Sequence, residues 1–203
     1  MRTFTSPGAI QDYLDSIPFN FETDGETCMS PARVQKEEKA HCLEGAMFAA
    51  YHLELLGHKP YILSLKVVDG KGDVDHAIAP FKVNEYWGAI SKTNHNVLRY
   101  RDPVYKNIRE LAMSFFHEYF LTSDGTKTMR GYSKPINLNR FGESWKSRQD
   151  DMWDIAEYIY DAPHTDVVRS SRKELRKAHT LECHAASIPE WKAKGSAVSR
   201  AKL

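Results

Sequence analysis

Apolar residues recur with two different periods in the first half of the chain. A helix is predicted from Cys42 to about Gly57, because one face carries apolar residues at helical spacing: Leu43, Met47, Ala50 and Leu53. After Gly57 the pattern becomes that of strands. YILSLKVV is typical of one strand, DGKGD of a turn, and VDHAIAPFKV with YWGAIS of a hairpin closed by Asn84 and Glu85. The chain is therefore expected to fold as an α+β protein, with helices packed on an antiparallel sheet.

Ser-Pro pairs at positions 6–7 and 30–31 are typical helix starts. The first opens an amphipathic N-terminal helix. The second could run on through Cys42, but we expect two helices with a break near Lys39 or Ala40.

Asp102 and Pro103 have the pattern of a helix N-cap followed by proline at the first helical position. They predict a packing helix from Pro103 to Phe120. Because a cap explains Asp102 well, we do not assign it a catalytic role. A later segment, DDMWDIAEYIY, resumes helical spacing.

Cys42 stands where a helix is expected to begin, and that position favours a thiolate. Free N–H groups and the positive end of the helix dipole stabilise negative charge there. An unpaired cysteine among apolar residues more often belongs to a core. Here, however, a lone strand histidine, His76, follows along the chain and is suited to act as a base. The pair is predicted to be a nucleophile and its base.

The register of the hairpin decides which side chain can orient His76. A two-residue loop of Asn84 and Glu85 places His76 opposite Thr93, with Ser91 on the diagonal. One more loop residue places it opposite Asn94. We expect Asn94 to be the orienting residue, with Ser91 as the alternative, because an acceptor on the far ring nitrogen fixes the tautomer of the base.

The order of helix with Cys, strand with His, and following strand with a polar residue resembles the transglutaminase-like fold of the papain-like cysteine enzymes. The resemblance covers residues 40–92, with HCLEGA as the nucleophile helix, GHKPYILSL as the next strand and DHAIAPFKVNEYWGAIS as the His hairpin. It implies a catalytic Asp after the hairpin turn, where this chain has Ser91. Asn94 would instead complete a Cys, His, Asn set of the papain kind. The resemblance also makes Gln35 a second choice as oxyanion donor, after the backbone N–H of Cys42.

Composition excludes several classes of function. The net charge of +1 gives no basis for binding nucleic acid, and there is no apolar run long enough to span a membrane. His41, His52 and His95 are zinc-ligand residue types, but no HExxH or CxxC spacing occurs, so no metal or other cofactor is expected. Three cysteines without a paired spacing, and the lack of a leader segment, are typical of a reduced, cytoplasmic protein.

We expect one domain over residues 1–203, with a core at about 40–120 and a frayed tail at about 190–203. The predicted activity is acyl transfer, or hydrolysis of an amide or ester, through a thioester on Cys42. Its substrate would be a peptide, a protein or a small amide or ester. The alternative is a catalytically inactive binding module of the same fold, for which Ser91 in place of Asp is the main support. The sequence indicates no oligomeric state.

Overall fold

The computed structural model describes residues 2–168 and 175–193 and shows an α+β fold. The helices within these residues are α1 Pro7–Ser16, α2 Pro31–Glu37, α3 Cys42–Leu55, α4 Ile108–Phe116, α5 Trp153–Tyr160 and α6 Thr180–Ala186. The strands are β1 Tyr61–Val67, β2 His76–Val83, β3 Tyr86–Ile90, β4 Arg101–Tyr105, β5 Met129–Ser133, β6 Ile136–Asn137 and β7 His164–Asp166. Two short 3-10 turns, Leu138–Phe141 and Ser144–Lys146, lead from β6 towards α5.

The strands form an open antiparallel sheet in the order β4-β3-β2-β1-β5-β7, and β6 pairs with the start of β1. The predicted hairpin is β2 and β3, paired from Val83 with Tyr86 to Ala79 with Ile90. Its loop has two residues, Asn84 and Glu85, both with positive φ (46° and 70°). This is the turn geometry that matches the twist of a hairpin.

A break separates the two helices before the cysteine, as the sequence analysis predicted. Helix α2 ends at Glu37, and Glu38 adopts the left-handed conformation with φ 49°. The backbone N–H of Ala40 then bonds to the Pro18 carbonyl, so the chain is extended as it approaches α3. Cys42 is therefore the first residue of a helix.

Alternate residues of the sheet belong to two separate hydrophobic cores, one on each face. Helices α1, α2, α3 and α5 pack on one face, where Ile62, Ala77 and Ala79 point. Helix α4 covers the other face, over Leu63 and Ile78. Successive strand residues point to opposite faces, so β1 and β2 are buried on both.

The prediction of a helix from Pro103 to Phe120 is wrong at its start. Residues 101–105 form the edge strand β4, and α4 begins only at Ile108, where the Asn107 side chain accepts from the Glu110 N–H at 2.9 Å. Proline is tolerated on an edge strand and at a bulge, and the register between β3 and β4 shifts at this point. Pairing with β3 outweighs the local Asp-Pro signal.

The C-terminal part of the chain lies against the loop that follows β3. Asn94 accepts from the Trp191 N–H (2.7 Å) and donates to the Trp191 carbonyl (3.2 Å), while its own carbonyl accepts from the Glu190 N–H (2.8 Å). Trp191 is buried. Of the segment expected to be a frayed tail, residues 194–203 lie outside the described part of the chain.

His52 makes the protein sensitive to acid. It is 1% exposed, rings of Phe4, Phe48 and Tyr51 surround it, and neither ring nitrogen has a hydrogen-bond partner within residues 2–168 and 175–193. Burial lowers its pKa from 6.5 to about 4. Between these pH values His52 is protonated in the unfolded chain but neutral in the folded chain. The free energy of unfolding therefore falls as the pH falls, by up to about 3 kcal/mol.

We therefore expect His52→Phe to flatten the decline in the free energy of unfolding between pH 6.5 and pH 4. Urea denaturation at several pH values measures this. Substitution of His58, whose ring is half-buried, is the matched control and should leave most of the decline in place. An equally steep decline in His52→Phe would contradict the assignment.

Candidate active site

The nucleophile candidate, Cys42, occupies the first position of α3, and the preceding residue caps the helix. His41 Nδ1 accepts from the Leu43 N–H (3.3 Å), while the Glu44 carboxylate accepts from the His41 N–H (2.9 Å). This is a capping box with histidine as the cap residue. The N–H of Cys42 itself has no intrahelical acceptor, because it belongs to the first turn.

His76 begins β2 and is 6% exposed. Its Nε2 lies 2.8 Å from Ser91 Oγ, and Ser91 Oγ donates its only proton to the Leu98 carbonyl at 2.6 Å. The hydroxyl must therefore accept from Nε2–H, and the neutral ring has its lone pair on Nδ1. The other ring nitrogen is thus free to take the proton of Cys42.

The Leu98 carbonyl explains why a hydroxyl, and not a carboxylate, stands at position 91 beside His76. A carboxylate at position 91 would place a second acceptor 2.6 Å from that carbonyl oxygen. Leu98 has φ 61°, unusual for a branched side chain. Its N–H donates to Glu118 (2.8 Å), and Glu118 in turn pairs with Arg101 (2.6 Å). These bonds hold the strained residue in place beside the histidine.

The structure does not bring Asn94 to His76. A two-residue loop sets the register, so the diagonal neighbour Ser91 makes the contact and Asn94 lies further along the chain. Both ends of the Asn94 amide bind the backbone of Trp191 instead. The assignment of Asn94 depended on a third loop residue that the hairpin lacks.

The pKa of the Cys42 thiol lies well below its ordinary value. Burial alone would raise this pKa, but hydrogen bonds from His41 and His76, together with the charges of both rings, outweigh burial. Both imidazoles therefore favour ionisation of the Cys42 thiol. Cys28 provides a contrast within the same chain, because burial and the nearby Glu44 raise its pKa to about 12.

Tyr160, the last residue of α5, lies near Cys42. Burial raises the pKa of its hydroxyl, and the negative charge of the nearby Cys42 raises it further. The raised pKa favours the neutral hydroxyl.

Cys42 and His76 open onto a cleft of about 360 Å³. Helix α6 and the residues after it form one wall, with Ala186 and Pro189, and Tyr119 and Phe120 form another. The cleft is large enough for a side chain or a short acyl group. Gln35 does not line it and instead accepts from the Arg2 N–H at 2.9 Å.

Within the described residues, no three His, Cys, Asp or Glu side chains are grouped to hold a metal ion. In the same part of the chain, no helix has both the length and the apolar composition required to cross a bilayer. Neither a protein-family model nor a curated protein matches this chain.

Sequence reasoning missed three residues of this site: His41, Tyr160 and the structural role of Leu98. Histidine is not among the preferred N-cap residues, so HCLE was not recognised as a capping box, although Glu stands at the correct spacing. Tyr160 is distant in sequence, and only tertiary packing brings it to Cys42. No sequence signal predicts the positive φ of Leu98.

Proposed function

We propose that this chain is a cysteine-dependent acyltransferase or hydrolase of the transglutaminase-like kind, acting through a thioester on Cys42. The observation that carries the proposal is that Cys42 and His76 line one cleft and that the Ser91 hydroxyl fixes the tautomer of His76. The antiparallel α+β fold is compatible with this class of enzyme.

In the proposed reaction, His76 Nδ1 takes the thiol proton, and the Cys42 sulfur attacks the carbonyl carbon of an amide or ester. The carbonyl π electrons move to oxygen. The Cys42 N–H is the proposed donor to this oxyanion. When the intermediate collapses, the C–N or C–O bond breaks and His76 returns its proton to the leaving amine or alcohol. An amine or water then attacks the thioester carbonyl and gives its proton to His76. The C–S bond breaks, and the Cys42 sulfur leaves and regains a proton from His76.

We expect an activated ester to acylate Cys42 and to leave a thioester that can be trapped. Incubation with p-nitrophenyl acetate, an acid quench and peptide mass spectrometry should place one acetyl group on Cys42. Cys42→Ala should lose that adduct, while Cys183→Ala, the matched control at a second partly exposed cysteine, should keep it. Addition of a primary amine or hydroxylamine should release the acetyl group.

Two outcomes would contradict the proposal. One is the absence of an adduct on Cys42. The other is an adduct that forms equally fast in His76→Ala, because a site that does not use its base is that of an inactive binding module.

A further inference from the structure

His41 is packed against the candidate nucleophile and against a buried carboxylate at the same time. Its side chain is 14% exposed, and Nε2 lies 3.0 Å from the Thr27 carbonyl and 3.5 Å from Glu44 Oε1. Because the carbonyl can only accept, Nε2 carries a proton. Nδ1 faces the start of α3, where it accepts from the Leu43 N–H, and Cys42 is the next residue along the chain.

Four donors surround the Glu44 carboxylate, whose side chain is fully buried. Oε1 accepts from Thr27 Oγ1 (2.8 Å) and the Met29 N–H (3.0 Å), and Oε2 accepts from Asn20 Nδ2 (3.1 Å) and the His41 N–H (2.9 Å). If Glu44 were protonated, its O–H would have no acceptor, because all four neighbouring groups are donors. This arrangement therefore favours an ionised carboxylate. A buried negative charge requires a positive partner, and His41 is placed to be that partner.

His76 has no carboxylate hydrogen-bonded to it within the described residues. Its orienting group, Ser91, is a neutral hydroxyl, whereas the acidic residue of a Ser-His-Asp triad also stabilises the imidazolium. Asp73 and Asp75 line the same cleft, but they accept from the Thr128 hydroxyl and the Val67 N–H. Of the two imidazoles, His41 is therefore the one with a carboxylate beside a ring nitrogen.

We propose that His41, held charged by the buried Glu44 carboxylate, is a second imidazole that stabilises the Cys42 thiolate. His76 moves the proton during the reaction, while His41 keeps its own and holds the sulfur ionised. The inference rests on the proposed function only in taking Cys42 as the nucleophile.

Protonation of His41 costs little in helix capping. The Leu43 N–H reaches Nδ1 at 3.3 Å, a long contact, so losing it sacrifices a weak hydrogen bond. Burial would lower the pKa of His41, but the hydrogen bond to Cys42 and the charge of Glu44 raise it to about 9. Glu22, whose carboxylate lies 3.9 Å from Nε2, adds further negative charge. Among the described residues, His76, Tyr119 and Tyr160 also interact with Cys42, and Asp73, Asp75 and His95 line the same cleft.

His41→Asn tests the proposal, because asparagine is a preferred N-cap and replaces the imidazole without removing the cap. The rate of Cys42 alkylation by iodoacetamide, followed by peptide mass spectrometry from pH 4 to pH 9, gives the thiol pKa. We expect the pH midpoint of the alkylation rate to rise by about one unit, which corresponds to a tenfold smaller acid dissociation constant of the Cys42 thiol. His41→Ser is a second variant that also keeps a cap, should the asparagine protein fail to fold.

The chain contains a matched control. Helix α6 begins with the same device, His179 as N-cap and Glu182 as its capping-box partner. His179→Asn makes the same chemical change at the start of α6, which does not line the cleft, so the Cys42 midpoint should stay at its wild-type value. An unchanged midpoint in a folded His41 variant, or an equal shift in His179→Asn, would overturn the inference. This experiment measures ionisation of Cys42 and not turnover. A shifted midpoint in a protein that forms no thioester would therefore support the role of His41 and contradict only the proposed function.

Discussion

Replacing His76 with alanine should lower the alkylation rate of Cys42 at pH 7 by about tenfold. The substitution removes one of the two imidazoles that lower the pKa of Cys42, so burial raises the thiol pKa with only His41 to oppose it. A thiolate with a higher pKa is intrinsically more nucleophilic, which offsets part of the loss of ionised fraction. Iodoacetamide labelling followed by peptide mass spectrometry measures the rate.

Two other cysteines serve as internal references in the same experiment. Cys28 is fully buried with a raised pKa and should label slowest in every variant, and the rate at Cys183 should not change. Ser91→Ala keeps the imidazole but removes its acceptor, so its effect should be smaller than that of His76→Ala. Unchanged Cys42 labelling in a folded His76→Ala protein would show that His76 does not activate the thiol.

Substitution of Gly45 by alanine should destabilise the protein by about 3 kcal/mol, the upper part of the range for overpacked cores. A Cβ on Gly45 would lie 2.3 Å from Lys92 Cβ and 2.9 Å from Lys92 Cγ. Lys92 is fully buried and cannot swing away, because its Nζ bonds to the Leu14 and Ile17 carbonyls at 2.8 Å each. Helix α3 would have to separate from the end of β3.

Thermal unfolding measures this effect, and a drop of about 10 °C is expected for a domain of this size. Gly8→Ala is the matched control, since it also lies in a helix but its Cβ would meet only Ser6 Oγ at 3.9 Å. That variant should be slightly stabilised through helix propensity. A Gly45→Ala protein as stable as Gly8→Ala would mean that α3 and Lys92 are less closely packed than described.

The β2–β3 hairpin could be predicted from sequence, because apolar spacing marks its strands. The break before α3 was expected, but no local pattern forces it: Glu38 adopts the left-handed conformation and Ala40 pairs with residues 18 and 19. Whether Ser91 or Asn94 contacts His76 depends on whether the β2–β3 loop has two residues or three. Glu85 is not a residue favoured at positive φ, so composition alone did not distinguish the two-residue loop from a longer one.

Other parts of the site arise from contacts between segments that are distant in sequence. Tyr160 reaches Cys42 because α5 packs on the same core as α3. Asp102 and Pro103 favour a helix start locally, but this segment pairs with β3 as a strand instead. Gly88 permits that pairing, since a Cβ there would lie 2.6 Å from the Arg101 carbonyl oxygen.

Pro103 has a consequence for how the folded molecules behave towards one another. In the described part of the chain, the two outer strands of the main sheet are β4, which contains Pro103, and β7, which has three residues. An outer strand that lacks an N–H, or is very short, is a poor template for a strand from another molecule. The sheet therefore resists edge-to-edge aggregation, and the strand that bears His76 lies inside it, away from either border.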